Sequence, residues 1–340
     1  MKQDPQEDFH GKRVVFRRKG EVGIEDFGLN QPEDHEVLIR TVCTLISAGT
    51  ETAFLMALPN TPSRFPQYPG YSNAGVIIEV GARVSTFREG DRVVSRENHA
   101  SHVIASEDEL MMIPDGLSFD EATFFALGSI ALQGTRKAYI ELGESVVVLG
   151  QGLVGQLALQ LAKLSGGMPV IGVDLFNYRL DLSSKNGADY VLNPLEVNLE
   201  KEISKVTGGK GASVVIEATG NPEVIPIAFK LVGEYGRVII LGSPRGTSKV
   251  NFYPQIHKKA IRIIGAHEST RPMYESYHGW WTQRDDSLLV LRLISSGRLI
   301  AKDLITAKMG FQEAQDAYVK LVKERNSVLG IVLDWDFDQV

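Results

Sequence analysis

Two rhythms of apolar and polar positions run along the chain. From about residue 11 to about 120, short runs rich in β-branched residues (13–17, 36–42, 75–80 and 91–94) alternate with turn signals such as Gly81-Ala-Arg and Glu89-Gly-Asp. This spacing predicts a β-rich unit. Ser118 stands three residues before Glu121, the arrangement of a capping box, so a helix is expected to open there. From about 127 to 267 the rhythm changes to strand, helix, strand. Residues 146–149 form a continuous apolar run, as in a strand covered on both faces, and 153–164 carry helical spacing. Residues 169–173, 191–192, 214–217, 237–241 and 262–265 are further strand candidates. The alternation predicts an α/β unit with a doubly wound parallel sheet. The tail from about 268 returns to mixed elements, and 327–333 reads as a strand completing the first unit. The expected division is therefore 1–126 with 268–340 as one domain and 127–267 as an inserted one.

Composition narrows the class. With 340 residues, 43% of them hydrophobic, there is enough chain for two cores. A net charge of −6 argues against nucleic acid or an anionic membrane as partner, and no apolar run is long enough to span a bilayer. The polar start Met1-Lys-Gln-Asp-Pro lacks a signal segment, so a cytoplasmic protein is expected. Cys43 is the only cysteine, which leaves no intrachain disulfide and suggests a small core residue.

Candidate chemistry begins at Gly150-Gln-Gly152-Leu153-Val154-Gly155, a GxGxxG sequence between an apolar strand and a helix. Gly150 permits the tight turn, Gly152 lets the backbone approach a pyrophosphate, and Gly155 lets the helix lie close to the sheet. Free N–H groups and the helix dipole would then hold phosphate oxygens, with Leu153 and Val154 in the first turn. Asp174 follows Gly155 by 19 residues, where a carboxylate accepts both ribose hydroxyls and repels the 2′-phosphate of NADP. NAD is the expected cofactor. Arg179 belongs to the same region and reads as a solvated helix residue rather than a phosphate ligand. Thr219, Gly242 and Ser243 follow strand ends and are expected to touch the cofactor, with Ser129 as a further contact.

The order Glu36-Val-Leu-Ile-Arg, Pro69-Gly70, Ala74-Gly75-Val-Ile, Gly90-Asp91-Arg92-Val93 and then the glycine loop resembles the medium-chain dehydrogenase/reductase superfamily. The resemblance implies a GroES-like catalytic domain, a Rossmann domain and an active site in the cleft between them. It also implies a homo-oligomer, dimer or tetramer. Most familiar relatives hold a catalytic zinc ion, and here this chain departs from them. Where they read Cys-Gly-Thr-Asp it reads Ala48-Gly49-Thr50-Glu51, and where they read Gly-His-Glu it reads Gly70-Tyr71-Ser72. Ala126 stands at the third ligand position, and the four-cysteine lobe is absent. Zinc needs about three N, S or O ligands, so no metal is expected. Residues 45–51, 70–76 and 127–134 are similar to a zinc-lacking branch, in which the module is sometimes fused to a glucose–fructose-oxidoreductase-like domain in saccharide or glycan settings. This chain reads as that first module alone, and the likeness implies a sugar or cyclitol substrate.

Hydride transfer from an alcohol without a metal needs a proton acceptor and a donor to steady the alkoxide. His267 is expected beside the nicotinamide, with a pKa suited to proton exchange. Tyr71, Thr50 and Glu51 are expected to share that work, although Tyr71 is equally suited to filling volume and Glu51 to a supporting hydrogen bond. Glu97, His99, His102 and Glu268 are expected to line the substrate pocket. His99 and His102 in a strand would point to opposite faces, which disfavours a metal. Trp280, Trp281, Tyr274, Tyr277 and His278 form an aromatic group suited to packing or to stacking on a sugar ring. The leading expectation is a zinc-independent NAD(H)-dependent oxidoreductase acting on a secondary hydroxyl of a sugar, polyol or cyclitol. The alternatives are a zinc-free enone or quinone reductase and a non-catalytic NAD(H)-binding regulator.

Overall fold

The computed structural model describes residues 9–335. The polar start read above, residues 1–8, and the last five residues lie outside the described part.

In chain order the first elements are β1 (Phe9–Arg18), β2 (Glu21–Leu29), β3 (Glu36–Leu45), α1 (Ala48–Leu55), β4 (Asn73–Val80), β5 (Arg92–Ser95), β6 (His102–Ser106) and β7 (Met111–Met112). Two helices follow, α2 (Phe119–Ala122) and α3 (Phe125–Lys137). Then come β8 (Val146–Leu149), α4 (Leu153–Leu164), β9 (Val170–Val173), α5 (Asn177–Lys185), β10 (Tyr190–Leu192), α6 (Leu199–Val206), β11 (Ala212–Glu217), α7 (Ile225–Leu231), β12 (Val232–Ile240) and β13 (Arg262–Gly265). The chain closes with α8 (Gln283–Ser295), β14 (Ile305–Gly310), α9 (Ala314–Lys323) and β15 (Gly330–Asp334).

The middle strands form a six-stranded parallel sheet in the order β10-β9-β8-β11-β12-β13. The order reverses between β8 and β11, and ligands of doubly wound sheets bind at such a reversal. All four residues of β8 are buried, as the unbroken apolar run required. The outer strands form a second sheet, β14-β15-β3-β4-β5-β7 with β6 on β3, and β15 pairs antiparallel with β3. The tail therefore does complete the sheet begun at the other end of the chain. One apolar core joins the two sheets, running from Cys43 and Ala74 through α3 to Leu157 and Val290. Helix α8 packs on α3, so closely that a Cβ on Gly128 would lie 2.5 Å from Val290.

The capping expectation at Ser118 holds: its side chain accepts from Glu121 N at 3.3 Å and α2 begins at the next residue. One local expectation fails. Residues 96–99 are irregular and β6 starts only at His102, so His99 and His102 do not share a strand. No helix among the described residues is long and apolar enough to cross a membrane.

Candidate active site

The glycine loop forms the turn between β8 and α4. Gly150 adopts φ +87°, a conformation that favours glycine, and a Cβ there would lie 2.6 Å from Thr219 Cγ2. A Cβ on Gly155 would lie 1.8 Å from Gly150 O, so only glycine lets α4 approach the turn. Gly152, the N-cap of α4, differs: a Cβ there would meet nothing within 4 Å. The backbone is thus bare at the one position where a pyrophosphate would approach, and these residues fit a dinucleotide. Leu153 is buried in the core and Val154 packs against it. The loops after β11 and β12 stand back to back, since a Cβ on Gly220 would lie 2.7 Å from Ser243 O and one on Gly242 2.3 Å from Gly220 N. Thr219 turns inward and donates to the buried Glu217.

Asp174 follows β9 directly. Its carboxylate accepts Gln151 N at 2.6 Å and Phe176 N at 3.0 Å, which fixes it beside the glycine loop. Arg179 does not behave as a solvated helix residue. Its side chain is only 16% exposed and lies 3.8 Å from Asp174 and 5.1 Å over the Phe176 ring. Burial lowers its pKa while Asp174 raises it.

A second group of residues comes from β3, α1 and the turn before β4. The half-buried Tyr71 donates from its phenol to Ser47 Oγ. Burial pushes the phenol up to about 12; hydrogen bonding to Ser47 and Thr50 pulls it down, and the charge of Glu51 adds to the rise. Tyr71 therefore keeps its proton near neutral pH, as a donor rather than a base. Glu51 is not at the surface of the cleft. It is 2% exposed, accepts Ser47 N at 2.7 Å, faces His99 Nε2 at 2.9 Å and accepts the Tyr318 hydroxyl. With both oxygens engaged, its expected part in proton transfer gives way to holding Ser47 under Tyr71. His99 is likewise buried rather than lining a pocket, and its N–H donates to Pro69 O, two residues before Tyr71.

A third group bridges the sheets. Arg96, from the loop after β5, donates to Glu268 Oε1 at 2.9 Å and to Ser129 Oγ at 3.3 Å. Gln283 Nε2 reaches the same Glu268 oxygen at 2.9 Å. Ser129 is fully buried in α3, where its hydroxyl accepts from Arg96. At the cleft edge, Asn60 Nδ2 donates to Pro244 O at 2.9 Å and Arg245 Nη1 to Asn60 O at 3.1 Å.

Other expected residues are not gathered here. His267 is exposed, and its Nδ1 caps a short turn by accepting Ser269 N at 3.2 Å. Among the described residues no hydrogen bond or ion pair joins its ring to Tyr71, Thr50 or Glu51. His102 is paired across the sheet with Arg40, and burial and that charge lower its pKa. Glu97 is half-buried, its pKa raised by burial and by Glu109. Of the aromatic group, Trp280 and Trp281 stand against α3, where Arg136 lies 3.7 Å over Trp281 and Lys137 5.2 Å over Trp280, while Tyr274 and Tyr277 are exposed. Ser47, Arg96, Arg245 and Tyr318 were not read from the sequence. Among the described residues, no three His, Cys, Asp or Glu side chains are grouped to hold a metal.

Comparison with known proteins agrees with this layout. The family described as "Alcohol dehydrogenase GroES-like domain" matches residues 33–150, and that described as "Zinc-binding dehydrogenase" matches 154–282. The D-guloside 3-dehydrogenase of Escherichia coli is 30% identical over 254 residues, 74% of this chain and 72% of that one. The L-threonine 3-dehydrogenase of Pyrococcus furiosus is 29% identical over 341 residues, covering 90% of this chain and 94% of the relative. A solved Escherichia coli structure, titled an oxidoreductase/dehydrogenase of unknown specificity, superposes with a TM-score of 0.85 at 21% identity. It covers 96% of this chain and 99% of that one, which shows the shared fold.

Proposed function

The chain belongs to the medium-chain dehydrogenase/reductase superfamily, and from that premise we propose that it is a zinc-independent, NAD(H)-dependent oxidoreductase. Its substrate would be a secondary hydroxyl of a sugar, polyol or cyclitol, or the matching ketone in reverse. The observation that carries this reading is the protonated Tyr71 phenol on Ser47, at the position where zinc relatives have a histidine. With its one proton turned from Ser47 to a substrate oxygen, a phenol there would steady the charge that develops on that oxygen, the task otherwise given to a metal. Ala48 and Ala126 occupy the remaining ligand positions and cannot bind one.

Gly152, Gly150 and Asp174 would hold the dinucleotide, with Gly242 and Ser243 near its nicotinamide end. The bound nicotinamide supplies hydride acceptance. The Asp174 carboxylate favours NAD by repelling a 2′-phosphate. Tyr71, Arg96 and Glu268 make the cleft polar, which suits a polyhydroxylated substrate, in keeping with the relative named for a guloside. We also propose a division into 1–126 with 268–340 and 127–267, with α8 as the segment that crosses it, and a cytoplasmic homo-oligomer.

The test is reduction of NAD+ in metal-free buffer, followed by NADH absorbance, across sugars, polyols, cyclitols and simple alcohols. Turnover of a carbohydrate that survives a chelator supports the reading. Turnover of quinones or enones with none of carbohydrates would replace it with a reductase.

A further inference from the structure

We infer that Glu268 accepts the proton of the substrate hydroxyl, an inference that rests on the oxidoreductase reading above. Three observations on geometry lead to it. Glu268 lies just beyond the C-terminal end of β13, the end of a parallel strand at which ligands bind. Its Oε1 is saturated by Arg96 Nη1 and Gln283 Nε2, both at 2.9 Å, so the carboxylate cannot rotate freely. Its Oε2 is buried, and no described residue donates to it. A buried acceptor left without a donor is unfavourable unless something else supplies one. A substrate hydroxyl is such a donor.

The position suits the chemistry. The charge of Glu268 adds to the rise of the Tyr71 phenol, and a substrate hydroxyl that reaches Oε2 would donate to it there. The charged or titratable groups facing Glu268 are Arg96 from the loop after β5, Arg271 from its own segment and Tyr71 from the turn before β4. In oxidation the O–H bond breaks and its proton goes to Oε2. The carbinol C–H bond would break with its electron pair, hydride acceptance being what a bound nicotinamide would supply, and a C=O bond would form. The alcohol is oxidised by two electrons and the cofactor reduced by two. Oε2 is closed to solvent, so the proton would pass from it to water as the product leaves. The rival groups are placed less well: Glu51 has both oxygens engaged, and the Nδ1 of His267 is held by its own turn.

The experiment compares wild type, Glu268→Gln and Glu268→Ala as full chains, on whichever of D-sorbitol, myo-inositol or methyl glucoside the wild type oxidises fastest. E268Q should lower kcat roughly 100- to 10,000-fold, the range for a lost acid–base group, and remove the fall in rate on acidification. Formate should restore turnover of E268A in proportion to its concentration. NADH binding, read by fluorescence, should stay within about twofold in both variants, because the hydrogen-bond partners of Glu268 are Arg96 and Gln283 and neither belongs to the glycine loop. An E268Q enzyme that keeps both the wild-type rate and its acid limb overturns the inference alone. So does a folded, NADH-binding E268A that formate does not rescue. A wild type silent on all three alcohols would instead overturn the oxidoreductase reading, and this inference with it.

Discussion

Tyr71 donates to Ser47, Ser47 takes its place from Glu51, and Glu51 is fixed in turn by His99 and Tyr318. The phenol is therefore held through a series of buried contacts, and each end can be tested. Burial lifts the Tyr71 pKa to about 12, against about 10 in an unfolded chain. A raised folded-state value means that the native protein binds the proton more tightly in that interval. The stabilisation is whole below pH 10 and is lost as pH rises towards 12. At working pH the group is a donor only, so Tyr71→Phe should cost roughly 100- to 1,000-fold in kcat, as for one lost oxyanion donor, without changing the shape of the pH–rate profile. A changed profile in Y71F would mean that the phenol itself ionises during turnover. At the other end, Tyr318→Phe takes a donor from a buried carboxylate. Urea denaturation should show a loss of about 1–3 kcal/mol, with NADH affinity unchanged. An equal stability in Y318F would show that Glu51 does not depend on it.

The strand–turn–helix around β8 and α4 separates folding from binding within four residues. Gly155→Ala would place a methyl 1.8 Å from Gly150 O, so α4 must move off the sheet. A loss of about 1–3 kcal/mol is expected, together with weaker NADH binding. Gly152 has ordinary extended backbone angles and open space around its Cα, so Gly152→Ala should leave the denaturation midpoint in place while NADH affinity falls at least tenfold, on the order of 1.4 kcal/mol. Parallel losses of stability in both variants would remove Gly152 from the binding surface. This element was fully legible: an unbroken apolar run, three glycines and helical spacing are local signals, and 153–164 forms α4 as read. The Asp174 carboxylate was legible by spacing alone. Arg179 was not, because its burial depends on Phe176 and Asp174 closing over it, which no periodicity encodes. The same limit applies to 96–99, where strand-like composition lies in a loop drawn towards Glu51 and Glu268.

Across the whole molecule the cleft is made by contacts far apart in sequence. Arg96 meets Glu268 across 172 residues and Tyr318 meets Glu51 across 267, so neither pair could be read from spacing. Residue identity carried further, because the family resemblance alone sets Ala48, Tyr71 and Ala126 against the ligand positions of zinc relatives. Their arrangement bears on the stability of the whole chain. A resident metal that binds only the native state adds stability in proportion to the logarithm of its saturation, so stripping it lowers Tm. Here the Tyr71 hydroxyl is bonded to Ser47, the nearby carboxylate of Glu51 is committed to three donors, and no described trio of ligands is grouped in the cleft. Prolonged treatment with 1,10-phenanthroline or EDTA should therefore leave Tm, NADH affinity and turnover where they were, and elemental analysis of the untreated protein should find zinc well below one ion per chain. A fall in Tm or in turnover on chelation, reversed by added zinc, would show that another set of side chains binds the metal in solution. Tyr71 would then lose its place as the group that takes over the metal's task.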